Sequence, residues 1–156
     1  MTALPVAIEL DGALGDTRAL WRDWVLAAGP LLGFDPSQLP EDRVEAAAEL
    51  DRRGAGNWRT LLERFGEERA AVYLRRDPAV SAALRVLASS GRAIGVFTDA
   101  PEPLARVALA QIGAERRIAA LETGAGALDR LLRRLGADAI VVSSATELRA
   151  AADDPG

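Results

Sequence analysis

Glu9 and Asp11 stand two residues apart at the end of an apolar run in the stretch VAIELDGALGDT, residues 6 to 17, and Gly12 follows at once. On a strand this spacing points both carboxylates to one face and Leu10 to the other. Adjacent carboxylates repel one another unless they are solvated, partly protonated or neutralised by a cation. Gly12 lets the backbone turn closely around a bound group. Magnesium, which takes a few carboxylates together with waters and phosphate oxygens, suits such a pair. A solvated acidic turn is the plainer alternative. Thr98 closes a second apolar run, and Asp99 and a Pro-primed helix follow it. The free amides at such a helix start can hold an anion, although a threonine there is also common as a simple helix cap.

The composition removes most other chemistries. The 156 residues include no cysteine, no histidine and no lysine, so all 19 basic residues are arginine. Disulfides, thiolate nucleophiles, Cys/His zinc sites, Ser-His-Asp triads, Schiff-base lysines and the P-loop lysine are thereby excluded. Carboxylates, hydroxyls, one tyrosine, arginines and backbone amides remain. A formal charge of -4, with acids and arginines interspersed, leaves no electrostatic footprint for nucleic acid or an anionic membrane. The run from Val6 to Leu10 is broken by Glu9 and lacks a basic flank, so it reads as neither a signal peptide nor a membrane span, and a cytoplasmic location is expected.

The elements that must position these residues fall into two patterns. Leu4 to Leu10 reads as a strand running into a turn. From there to Asp77 the reading is helical. Asp16 can cap a helix carrying Leu20, Trp21, Trp24, Val25 and Ala28, stopped at Gly29-Pro30. Pro40 can open a second helix ending near Gly54. Asn57 caps a third that stops at Gly66, and a fourth covers Glu67 to Arg76. Six of the seven aromatic residues lie between Trp21 and Tyr73, which predicts a small core belonging to this stretch. After Pro78 helices and strands alternate: strands at Ala93 to Phe97, Ile118 to Leu121 and Ala139 to Val142, separated by helices ending at Gly91, Gly113 and Gly136. Such alternation implies βαβ crossovers and a doubly wound, Rossmann-like parallel sheet. Ligands of such sheets sit off the carboxyl ends of the strands, which gathers Glu9 to Leu14, Thr98 to Asp99, Thr123 to Gly126 and Ser143 to Glu147.

In order and spacing these stretches resemble the haloacid dehalogenase (HAD) superfamily. VAIELDGALGDT is similar to its first motif, D-x-D-G-T-L after an apolar run. IGVFTDAPEPLARVALAQIG is similar to the second, a strand ending in Thr or Ser before a helix. IVVSSATELRAA aligns with the fourth, V-G-D-S-x-x-D-I-x-A-A, and the helical stretch sits where the family places its cap. The resemblance implies an α/β HAD-like core at 1–16 and 78–156 and a helical cap insert at 17–77. It implies phosphoryl transfer through an acyl-phosphate with magnesium, Glu9 standing at the nucleophile position and Asp11 at that of the general acid/base. Gly12, Thr98 and Asp99 would hold phosphate, and Glu9, Asp11 and Glu147 would hold the metal.

The chain departs from the family pattern at several of these positions. Glu9 replaces the nucleophilic aspartate, Ala13 a threonine and Ser143 the first metal-binding acid of the fourth motif; no lysine is available to balance charge. Family members also usually continue into at least one more strand, so a sheet of about four strands is expected, with an edge left uncovered or paired in a homodimer. Three functions follow as expectations. The first is a HAD-like protein with degraded motifs, a catalytically impaired phosphatase homologue used for binding, regulation or assembly. The second is an active magnesium-dependent hydrolase of a small phosphorylated metabolite, with an arginine in place of the lysine. The third is a non-enzymatic interaction module that anchors a protein partner through Trp21, Trp24 and Trp58 if those rings are exposed.

Overall fold

The computed structural model describes residues 3–154. Its first strand, β1 (Val6–Glu9), runs into a tight turn over Leu10–Leu14. Three helices follow: α1 (Arg18–Leu32), α2 (Arg43–Arg52) and α3 (Trp58–Tyr73). The rest alternates as α4 (Pro78–Ser89), β2 (Ile94–Thr98), α5 (Glu102–Ile112), β3 (Ala120–Thr123), α6 (Ala127–Leu135), β4 (Ile140–Val142) and α7 (Ala145–Asp153). The four strands form one parallel sheet in the order β3-β2-β1-β4. This is the expected Rossmann-like α/β architecture, with helices on both faces.

Alternation along the strands divides the core. Val6 and Ile8 of β1 join Ile94, Val96 and Val142 on one face, under Leu84, Leu87, Leu109 and Leu148 of α4, α5 and α7. Ala7, Phe97 and Ala120 point the other way and meet Leu131 of α6. Glu9 shares the parity of Ala7, so its side chain leaves the sheet on the α6 side. The two edge strands are β3 and β4, four and three residues long. Such brevity limits the edge available to another chain.

A separate apolar cluster holds Trp21, Trp24, Phe34, Leu50, Trp58 and Leu62, and it takes in Ala100 and Leu104 from the entrance to α5. Trp24 stands between Trp21 and Trp58, with ring centroids 5.2 and 5.9 Å away. The three indoles are only 4%, 1% and 1% exposed, so they fill the interior of this helical segment and offer no anchors to a partner. Two glycines expected to stop helices do not. Helix α1 continues through Gly29-Pro30 and ends at Gly33 in the left-handed region; Gly29 serves packing instead, since a Cβ there would lie 2.7 Å from the Pro36 ring. The predicted third and fourth helices are one, α3, in which Gly66 lets Val107 of α5 come close. Helix α2 opens at Arg43 rather than near Pro40, capped by Asp42, whose carboxylate accepts from the Glu45 amide at 3.0 Å. Among the described residues no helix is long and apolar enough to cross a membrane.

Candidate active site

The carboxyl ends of β1 and β2, the turn after β3 and the start of α6 enclose a cavity of about 430 Å³. Glu9, Asp11, Thr98 and Asp99, all read from the sequence, line it together. Gly124, Gly126 and Asp129 close the far side, and Arg18 and Arg43 enter from the helical segment. This is where a parallel sheet is expected to place a ligand.

Asp11 is the centre of the polar network. It is 7% exposed, and donors meet both oxygens of its carboxylate. Its Oδ1 accepts from the Thr17 amide at 2.6 Å and from the Thr17 hydroxyl at 2.8 Å. On Oδ2 it receives the Arg43 guanidinium, with the Thr98 hydroxyl at 3.4 Å. Arg43 is itself only 5% exposed. Its Nη2 also reaches Asp99, and its Nη1 donates to the Thr17 hydroxyl at 2.6 Å. Asp99 is half exposed, so the pair with Asp11 is the buried arm of this bridge. Thr98 additionally accepts from the Ala100 amide at 3.1 Å, which fixes its rotamer at the mouth of α5.

Sequence reasoning misses Arg43, Arg18, Thr17 and Asp129. For Arg43 a signal existed. A cation in the first turn of a helix works against the helix dipole, and such a local inconsistency is expected where a site demands it. Arg18 is held at the cavity rim by Asp16. Its hydrogen bond and charge interaction with Asp16 raise the guanidinium above its usual pKa. Burial pushes the Asp16 carboxyl up, but bonds from the Arg18 amide and guanidinium outweigh that and lower it overall.

Glu9 is different in kind. It is partly buried, lines the cavity, and its carboxylate makes no hydrogen bond or ion pair among the described residues. Gly12 has φ +102°, and its amide donates within the turn to the Gly15 carbonyl at 2.7 Å. A Cβ at this position would lie 2.8 Å from the backbone oxygen of Ser143. The turn after β1 is thus pressed against the tip of β4 and has no room for a side chain. Gly12→Ala combines that clash with a strained backbone, and we expect it to lower stability by about 2 kcal/mol or more, read as a shifted denaturant midpoint with unchanged slope.

Ser143 and Glu147 do not line the cavity. The Ser144 hydroxyl accepts from the Glu147 amide at 3.1 Å, capping α7, and donates to the Glu147 carboxylate at 3.2 Å. Arg130, the first basic residue after Thr123, is tied to Glu122 at 2.8 Å and to the carbonyls of Thr123 and Ala125. Among the described residues no three acids are grouped to hold a metal ion. Both Asp11 oxygens are already engaged, and Glu9 stands alone. As arranged, these donors do not fit magnesium, which requires a near-octahedral set of oxygens.

No protein-family model and no curated protein matches the sequence. Solved structures do match in shape. One is CbbY from Rhodobacter sphaeroides in complex with phosphate, with a TM-score of 0.64 and 18% identity, covering 94% of this chain and 80% of that one. Another is a HAD phosphatase from Thermococcus onnurineus, with a TM-score of 0.55 and 19% identity, covering 90% and 77%. Together with the four-stranded parallel sheet and the cavity at its carboxyl ends, these likenesses establish that the chain has the fold of the haloacid dehalogenase superfamily.

Proposed function

We propose that this chain is a HAD-fold protein impaired in phosphoryl transfer, using its cavity to bind a small phosphorylated ligand in a regulatory or assembly role. Helices α1 to α3, within 17–77, act as its cap. The observation that carries this reading is the position of Glu147, the one acid retained at the metal-binding positions of the fourth motif. It is exposed, bonded to the Ser144 hydroxyl at the start of α7, and does not line the cavity. Phosphoryl transfer draws its rate almost wholly from positioning and charge neutralisation. Here the carboxylates for a metal are not assembled, and Arg130 is committed to Glu122 and to backbone carbonyls. Glu9 adds a methylene to the nucleophile's arm, and a misplacement of about 1 Å can cost on the order of a hundredfold in rate.

The expected result is hydrolysis of p-nitrophenyl phosphate at the uncatalysed background with or without magnesium. Glu9→Asp alone should not restore it, because Ser143 and the missing lysine remain. A second reading, an active hydrolase, draws support from Arg43, whose guanidinium beside Asp11 is a cation inside the cavity. Saturable turnover by the natural chain, abolished by Asp11→Asn, would establish that reading and overturn the first.

A further inference from the structure

Arg43 stands where three spaces meet. It lines the 430 Å³ cavity at the strand ends, a second cavity of about 580 Å³ beside Trp21, Val25 and Leu39, and a third of about 380 Å³ between α2 and the turn after β3. Asp99 lines all three as well. The Arg43–Asp99 contact is therefore a partition, and the Arg43–Asp11 contact is its buried anchor. The anchor joins a residue of the helical segment to one at the tip of β1, 32 positions apart in the chain. A buried carboxylate without a counter-charge is costly, and the same is true of a buried guanidinium. Each is thus a condition for the other's place.

We propose that Arg43 is the resident counter-cation of this site: inserted from α2, it balances Asp11 and latches the helical segment over the strand ends. While the latch is closed, Arg43 holds Oδ2 of Asp11 and Thr17 holds Oδ1, so neither oxygen is open to a metal ion. Withdrawal of Arg43 merges the cavities and opens Asp11 to the space that Asp99 and Glu9 already face. Charge balance and access are set by one side chain. The inference deepens the proposed binding function by naming what governs entry to its cavity.

The test compares the full natural chain with Arg43→Gln and Asp99→Asn, using Mn2+ titration followed by electron paramagnetic resonance and amide hydrogen exchange over α2. Neither readout involves turnover. We expect no saturable Mn2+ binding by the natural chain and the appearance of binding in Arg43→Gln. Exchange of the α2 amides should rise about tenfold or more as the buried pair is lost. Asp99→Asn removes only the exposed arm and keeps the fold secure; it should raise α2 exchange by a smaller factor, without gain of Mn2+ binding. Equal Mn2+ affinity in the natural chain and Arg43→Gln would overturn the latch, as would α2 exchange unchanged in both variants. Phosphatase activity in the natural chain would bear on the functional reading alone, so the two failures are distinguishable.

Discussion

Arg43→Met is expected to lower the stability of the chain by about 3–5 kcal/mol, the usual cost of removing one partner from a buried ion pair. The size of the effect comes from Asp11, not from lost packing. Methionine fills much of the arginine stem's volume, but it leaves a 7%-exposed carboxylate with only the Thr17 and Thr98 donors. For a domain of this length the loss corresponds to a fall in melting temperature of roughly 10 °C. Asp11→Asn should cost less, because an amide oxygen still accepts from Thr17 while Arg43 keeps Asp99. The two changes together should cost well under their sum, since the double variant buries no unpaired charge. Denaturant titration of all four proteins measures this coupling. A loss below about 1 kcal/mol for Arg43→Met would place the pair with the surface ion pairs, whose worth is of that order.

The frame of the fold was legible because it is written in local patterns. The change from helical spacing to alternating strands and helices after Pro78 yields the parallel sheet; strand parity sends Glu9 to the cavity, and the turn that follows brings Asp11 to it while Leu10 enters the core. Gathering Thr98 and Asp99 beside them needed only the rule that ligands sit at the strand ends. The rest was hidden because it depends on contacts between distant elements. Gly29 and Gly66 look like helix stops, yet they are close approaches to Pro36 and Val107, which only packing reveals. Glu147 stands in the motif at the expected place, but its amide, three residues on from Ser144, is where a helix N-cap bonds, and its carboxylate meets the same hydroxyl at the start of α7. Arg43 shows only a cation set against the start of a helix, which does not say what it meets. Its role follows from where α2 is set down.

Trp24→Ala should be the second large perturbation, costing about 3–5 kcal/mol for a fully buried indole whose cavity its neighbours close only in part. Where the loss is felt tests the division at 17–77. The tryptophan cluster joins α1, α2 and the first half of α3, whereas Ala70 and Leu74, at the far end of α3, belong to the sheet core. The Tyr73 hydroxyl also donates to Asp23, tying that end back to α1. Helix α3 therefore carries the strain from one core to the other. If the segment is a cooperative unit, amides of α1, α2 and the first turns of α3 should lose protection first in Trp24→Ala, while Ile94–Thr98 in β2 keep theirs. Loss of protection in all of them at one free energy would mean that the two clusters melt as a single core. The helical segment would then be part of the domain, and the Arg43 contact would be a seam within it.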